Sequence, residues 1–296
     1  MSREVAGGAR RPLPPQGVRL MKAAKSGVAI VAVTLLFPAA AVAQFKILDG
    51  QGFEAPAYSP GTLTGQTALI DNGASTFAWT EFGGASTAVV QLGVASSGAQ
   101  SLQINRAAND DHRWTAYTPG YPANQYVTVE WDMRVEDPNL IGVFGPFFGV
   151  ETYDDMGGGV LRSGMFGVDA ATGELLYVDR NAGLLPTPGG ETVEYGQWNS
   201  FRMVLDFQNN AYQGYFNGAQ VFTTSFENAG VDEFTDADIA ALAAAGDAAS
   251  QGATGVAYID NLVVYDELVI PEPASLLLAC AGLLGGVLVA RRRRDG

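Results

Sequence analysis

Alternation of apolar and polar residues limits what this chain can fold into more than any other feature of its sequence. Val127, Val129, Trp131, Met133 and Val135 alternate with Thr128, Glu130, Asp132 and Arg134. A period of two puts one set on each face of an extended strand and would scatter both around a helix. The pattern returns at Phe201, Met203, Leu205 and Phe207, separated by Arg202, Val204 and Asp206, so a second strand should turn four apolar side chains toward a core. Turn chemistry joins further strands. Asn217-Gly218, between 211–216 and 221–226, supplies the positive φ angles of a two-residue hairpin. Asp169 to Gly173 makes a similar turn between 165–168 and 175–178, and Val256 to Tyr265 reads as a long closing strand.

Many short strands, 37 glycines and no regular interleaving of helices predict an all-β, antiparallel two-sheet sandwich rather than a parallel α/β sheet. One segment departs from the pattern. Thr235-x-x-Asp238 has the spacing of a capping box, and Ile239, Leu242 and a run of alanines follow. The expectation is one short inserted helix over 235–249, lying on the surface because its apolar face is thin.

Apolar segments mark both ends. Lys22 and Lys25 precede the apolar run 27–37, and Ala41-Val42-Ala43 offers the small residues that a signal peptidase requires. This predicts a secretory signal helix cut between Ala43 and Gln44. The prolines and arginines before it do not fit a signal n-region, which places the translation start at Met21. At the far end Pro271-Glu272-Pro273 precedes an uncharged run, Ala274 to Ala290, followed by Arg291, Arg292, Arg293 and Arg294. At about 1.5 Å per residue that run makes roughly 25 Å of helix, within the range that crosses a bilayer core. Arginines flanking a span stay cytoplasmic, so Pro271-Glu272-Pro273 should lie outside. The expected organisation is an N-terminal extension and signal peptide over 1–43, one domain over 44–270 and a tail over 271–296.

The central region holds 28 Asp and Glu against seven Lys and Arg, a balance of −21. Such acidity repels nucleic acid and anionic membrane surfaces. Cys280, the one cysteine, lies in the terminal apolar run, so the domain forms no disulfide and depends on its core for stability.

The Pro-Glu-Pro tripeptide, the span and the arginine block together resemble the PEP-CTERM tail of bacterial exported proteins. That resemblance implies an exosortase-type processing enzyme as partner beside signal peptidase, with transient anchoring in the inner membrane through the C-terminal transmembrane helix. It also implies delivery to the cell surface or an exopolysaccharide matrix; an ordinary C-terminal anchor is the alternative. Within the domain, weaker signatures follow one another: Gly52-Phe53-Glu54, Tyr58-Ser59-Pro60-Gly61, Gly65-Gln66, Ser101-Leu102-Gln103-Ile104, Trp198, Tyr215-Phe216-Asn217-Gly218 and Ile259-Asp260-Asn261-Leu262-Val263. Their order resembles the concanavalin A-like group of jelly-roll β-sandwiches, laminin-G-like domains included. The resemblance implies a curved jelly roll whose concave face or loops often bind glycans, in a group that holds enzymes, lectins and structural domains.

Glucanases of that group carry an ExDxE or ExDxxE row of acids on one strand. Here the row reads Glu130-Trp131-Asp132-Met133-Arg134-Val135-Glu136, with Arg134 where an acid belongs. No catalytic residue is therefore assigned, and a non-enzyme is expected, with a glycoside hydrolase or lyase as the alternative. His112 is the only histidine, and no Gly-x-Ser-x-Gly elbow accompanies it, which leaves little from which to build a Ser-His-Asp site. Beside Asp110 and Asp111 it reads as a surface-loop residue. Asn109-Asp110-Asp111 and Asp154-Asp155 are hard oxygen donors of the kind calcium takes; solvated acidic turns account for them equally, and no cofactor is assigned. Sugar binding calls for exposed rings, and Trp114, Tyr117 and Tyr121 in a loop bounded by Pro119 and Gly120 form the candidate ligand surface for a polysaccharide. Burial in the core is the competing reading. Three functions follow: a glycan-binding surface protein, a carbohydrate-active enzyme, and a purely structural or adhesion protein.

Overall fold

The alternating segments form the strands their periodicity predicts. Tyr126–Val135 buries Val127, Val129, Trp131, Met133 and Val135 on one face and leaves Glu130, Asp132 and Arg134 half-buried on the other. It runs antiparallel between Asn199–Asp206 and Gly255–Tyr265. The hairpin of Ala211–Phe216 and Ala219–Ser225 closes through Asn217 (φ 48°) and Gly218 (φ 82°), a left-handed pair in which glycine carries no steric penalty. Phe201, Met203 and Leu205 are buried, and Phe207, just past the strand end, packs against the core.

The computed structural model describes residues 44–118, 120, 125–155 and 159–266. The signal segment with Ala41 and Ala43, the aromatic Tyr121, and the tail with Pro271-Glu272-Pro273 and Arg291 to Arg294 lie outside the described residues. Two antiparallel sheets make up the domain. The main path of the eleven-stranded sheet runs Ala219–Ser225, Ala211–Phe216, Asn199–Asp206, Tyr126–Val135, Gly255–Tyr265, Lys46–Asp49, Thr67–Ile70, Ser75–Ala78. Gln100–Arg106, Thr87–Leu92 and Gly61–Thr62 branch from Gly255–Tyr265. The seven-stranded sheet runs Gly183–Pro186, Leu175–Asp179, Leu161–Asp169, Phe147–Asp154, Asp236–Leu242, His112–Thr115, Thr80–Phe82.

The core lies between the sheets. Trp131 stacks on Phe201 at 5.5 Å within the larger sheet, and Phe166 of the smaller one meets both rings edge-on, at 6.0 and 5.4 Å. Burying each such ring contributes about 1.5–3 kcal/mol. Phe166 thus marks the inner face of the seven-stranded sheet, and its neighbours Met165 and Gly167 mark the outer one. On that outer face the cross-strand pair Gly149 and Gly167 lies under the Phe147 ring; a Cβ on either would fall 2.6 Å from its Cζ.

The expected helix over 235–249 is a correction. Asp236–Leu242 is a strand between Phe147–Asp154 and His112–Thr115, buried at all seven positions. Alanines on both faces hide the alternation, and hydrogen bonds to two neighbours outweigh the small helical preference of such a stretch. Thr235 begins the ladder, its N–H donating to the Tyr153 carbonyl at 2.9 Å, rather than capping a helix. The one α-helix among the described residues lies later, at Ala248–Gly252, capped by the Asp247 carboxylate, which accepts from Ala249 and Ser250 N–H. No helix among the described residues is long and apolar enough to cross a membrane.

Candidate functional site

Register assembles an acidic cluster on the outer face of the seven-stranded sheet. Glu151 lies opposite Met165 on one side and Asp238 on the other, and Tyr153 lies opposite Asp236. Arg113, opposite Ala240, joins the same face. Asp155 follows the end of the Phe147–Asp154 strand, and Tyr117 comes two residues after His112–Thr115. These groups enclose a cavity of about 290 Å³ lined by Arg113, Tyr117, Tyr153, Asp155, Asp236 and Asp238, with Phe82 and Val160 at its mouth. Phe82 is 51% exposed and Val160 70%.

The floor is electrostatically tense. Glu151 is fully buried and paired with two arginines, Arg113 Nε and Arg162 Nη1; Arg162 in turn holds Glu227. Arg113 Nε also donates to the Tyr153 hydroxyl at 3.2 Å. Burial works against the Arg113 charge, but Glu151 and Tyr153 outweigh it and push its pKa up, so it stays a cation. Asp236 accepts from Thr235 at 2.6 Å and Thr115 at 3.2 Å. Asp236 and Asp238 are hydrogen-bonded to each other, and burial first, then their mutual repulsion, drives Asp238 well above the ordinary carboxylate range. Two carboxyls in contact cannot both ionise at low cost, so the pair holds a proton between them. Burial, followed by the Asp236 charge, raises Asp155 to about 6 despite a hydrogen bond from Tyr117. Tyr117 itself is pushed up to about 12 by burial and by the carboxylates around it.

Aromatic rings rim the opening. Tyr117 meets Phe77 at 6.3 Å and Phe82 at 6.4 Å, both edge-on, and both phenylalanines are exposed. Of the rings expected to bind a ligand, Tyr117 is therefore at the cavity. Trp114 is not: it lies on the strand His112–Thr115 with no exposed surface, stacked on His112 at 4.3 Å, its Nε1 donating to Glu81 at 3.2 Å. His112, expected on a surface loop, is buried on that strand, a second correction. The residue types that form the site, Glu151-x-Tyr153 and Asp236-x-Asp238, carry a period-two signal that reading 235–249 as a helix obscured.

The row on Tyr126–Val135 faces away from the core on the other sheet. Glu130 pairs with Arg202 at 2.6 Å and Arg134 with Glu136 at 2.7 Å. Asp132 accepts from Ser96 Oγ at 2.7 Å and Asn261 Nδ2 at 2.8 Å. A cleft of about 240 Å³ opens there, bounded by Glu130, Asp132, Arg202 and Tyr215; Arg202 offsets Glu130, and the Asp132 carboxylate is held by neutral donors. The other acidic turns are likewise engaged within the chain. Burial would raise the Asp110 carboxyl, yet hydrogen bonds from Ser86 and Gly84 and the neighbouring His112 hold it below the usual range. Asp111 accepts from the Ala243 N–H, and Asp154 from those of Asp232 and Glu233. No group of three or more His, Cys, Asp or Glu side chains among the described residues converges as a metal ion would need.

Among solved structures the chain is similar to one described as "Cellulose induced protein, Cip1", at 16% identity and a TM-score of 0.48, covering 66% of this chain and 94% of that one. It is also similar to the alginate lyase Aly36B, at 11% identity and 0.43, covering 73% and 95%. A sialidase matches at 12% identity and 0.46, covering 63% of this chain, which spans 16% of the sialidase's length. No curated protein sequence matches. Residues 269–294 match the family model of the PEP-CTERM protein-sorting motif, so the tail that carries Pro271-Glu272-Pro273 and the four arginines carries that motif.

Proposed function

We propose that this is an exported cell-surface or matrix protein, sorted through its tail by an exosortase-type enzyme, whose sandwich domain binds glycan without transforming it. The sorting half rests on the motif at 269–294; signal peptidase acting between Ala43 and Gln44 and transient anchoring through 274–290 complete that route. The binding half rests on one observation: the cavity at Tyr117 combines exposed rings with inward-facing polar groups, the pairing that sugar recognition uses, with ring faces for the pyranose and acceptors for its hydroxyls. A glycan array probed with the purified full-length chain tests it. Binding that Tyr117→Ala and Phe82→Ala abolish supports the reading, and no binding to any glycan refutes it.

A carbohydrate-active enzyme is the second reading, and the proton-sharing pair Asp236 and Asp238 is what favours it, since perturbed carboxyls in a cavity are a feature of catalytic sites. Their contact weighs against a hydrolase. Retaining enzymes hold their two carboxyls about 5–5.5 Å apart and inverting ones about 6.5–9.5 Å, wide enough for sugar or water between. Release of reducing ends or unsaturated products from a polysaccharide panel, lost in Asp238→Asn, would establish the enzyme.

A further inference from the structure

The cavity proposed to bind glycan is built to receive positive charge. Three carboxyl groups line it, and its lining cation, Arg113, is engaged by Glu151 and Tyr153. Arg162, on the adjoining strand, is held between Glu151 and Glu227. Asp154, next to Asp155, accepts from the backbone N–H groups of Asp232 and Glu233. What is left over is acceptor capacity. Asp238 is only 4% exposed, yet apart from the proton it shares with Asp236 its Oδ1 meets no donor, and Oδ1 of Asp155 has no hydrogen-bond partner. A buried acceptor without a donor is costly, and a ligand that supplies N–H groups relieves the cost.

We propose that the cavity takes the protonated amine of an amino sugar, so that the domain selects glycans bearing free amino groups over N-acetylated or uronic-acid polymers. The inference rests on the glycan reading of the same cavity and names its ligand class. An ammonium donates to the paired carboxyls of Asp236 and Asp238, with the Asp155 charge nearby, while the sugar ring lies against Tyr117 and Phe82. A uronate would bring a further negative charge against three carboxyls. A metal ion would need the converged ligand set that is missing among the described residues, whereas an ammonium accepts dispersed acceptors and gains from neighbouring ring faces. On binding, the ammonium takes the place of the proton shared by Asp236 and Asp238, and that proton passes to solvent. Affinity should therefore increase as pH rises from 5 to 7, the range in which Asp155, raised to about 6 by burial and by the Asp236 charge, gives up its own proton.

Titration calorimetry of the full-length chain tests this, with a glucosamine oligomer, the matching N-acetylglucosamine oligomer and calcium chloride as probes. The glucosamine oligomer should bind at least about tenfold tighter than its N-acetylated counterpart at pH 7, lose about tenfold in affinity by pH 5, and release protons, read from the dependence of heat on buffer. Asp238→Asn should abolish the preference. Asp155→Asn, at a half-exposed position outside the sheet, should weaken it by about fivefold without unfolding the domain. Equal affinity for both oligomers, still lost in Tyr117→Ala, would overturn the ammonium assignment and leave the glycan site standing. Failure of both oligomers and of every other glycan would remove both claims. Calcium binding that excludes the sugar, or an unchanged preference in Asp155→Asn and Asp238→Asn, would also overturn it.

Discussion

Replacing Glu151 by Gln should destabilise the domain far more than a conservative change of one side chain suggests. Glu151 is fully buried, and the Arg113 and Arg162 side chains paired with it are only 28% and 23% exposed. Gln keeps the volume and removes the charge. Arg162 retains Glu227, but Arg113 is left with the Tyr153 hydroxyl as its remaining hydrogen-bond partner. Breaking a buried ion pair from one side costs about 3–5 kcal/mol, because the other charge stays desolvated. The residual exposure of both guanidiniums allows partial rehydration, so the lower end, about 3 kcal/mol, is expected. In a domain of this size that corresponds to a fall in Tm of roughly 6–12 °C, at about 2–4 °C per kcal/mol. Urea and thermal unfolding of wild type and Glu151→Gln at low and high salt measure it, and the difference should change little with salt, since buried pairs are weakly screened. Glu130→Gln, which breaks a pair with Arg202 whose carboxylate is itself 28% exposed, serves as the comparison and should cost less, about 1–2 kcal/mol. A loss at Glu151 below about 1 kcal/mol, or one no larger than at Glu130, would refute the buried-network reasoning.

Trp114→Ala should cost about 3–5 kcal/mol in urea unfolding, because a fully buried ring leaves a cavity; a loss within experimental error would mean the ring is not part of the core. Asp238→Asn should be more stable than wild type at pH 8, with the gap closing toward pH 4. The folded pair has raised pKa values, so wild type is fully stabilised when the carboxyls are protonated and loses stability as pH rises through those values, a loss the amide cannot suffer. Urea midpoints at pH 4, 6 and 8 check the sign, and a gap that widens toward acid would contradict it. Gly149→Ala should cost about 1–3 kcal/mol, since its Cβ would fall 2.4 Å from the Phe166 carbonyl and 2.6 Å from the Phe147 ring; thermal unfolding reads it directly.

How much of this was legible in the sequence depended on whether the two faces of a strand differ in chemistry. Tyr126–Val135 and Asn199–Asp206 have one apolar and one largely polar face, and the sequence declares them. Asp236–Leu242 is buried on both faces, with alanine on each, and neither period stands out. That one misreading hid Asp236 and Asp238 inside an expected helix. Trp114 and His112 sit on a strand only four residues long, too short for a periodic signal beside the Thr118 to Gly120 turn chemistry. Tyr117 was legible as an aromatic in a loop; Phe77 and Phe82, on the edge strands that bring them to it, carried no signal. The acidic cluster draws on segments far apart in the chain, near 113, 151 and 236, and only strand order puts them on one face.

Hydrogen–deuterium exchange of the full-length chain with and without the tightest-binding glycan from the array tests most directly that this face is the binding surface. Protection should concentrate at 80–82, 113–117, 153–155 and 236–238, around the cavity at Tyr117 and Asp238, and leave 128–134 and 200–202 unchanged. Protection confined to 128–134 and 200–202 would move the site to the cleft beside Glu130 and contradict the assignment.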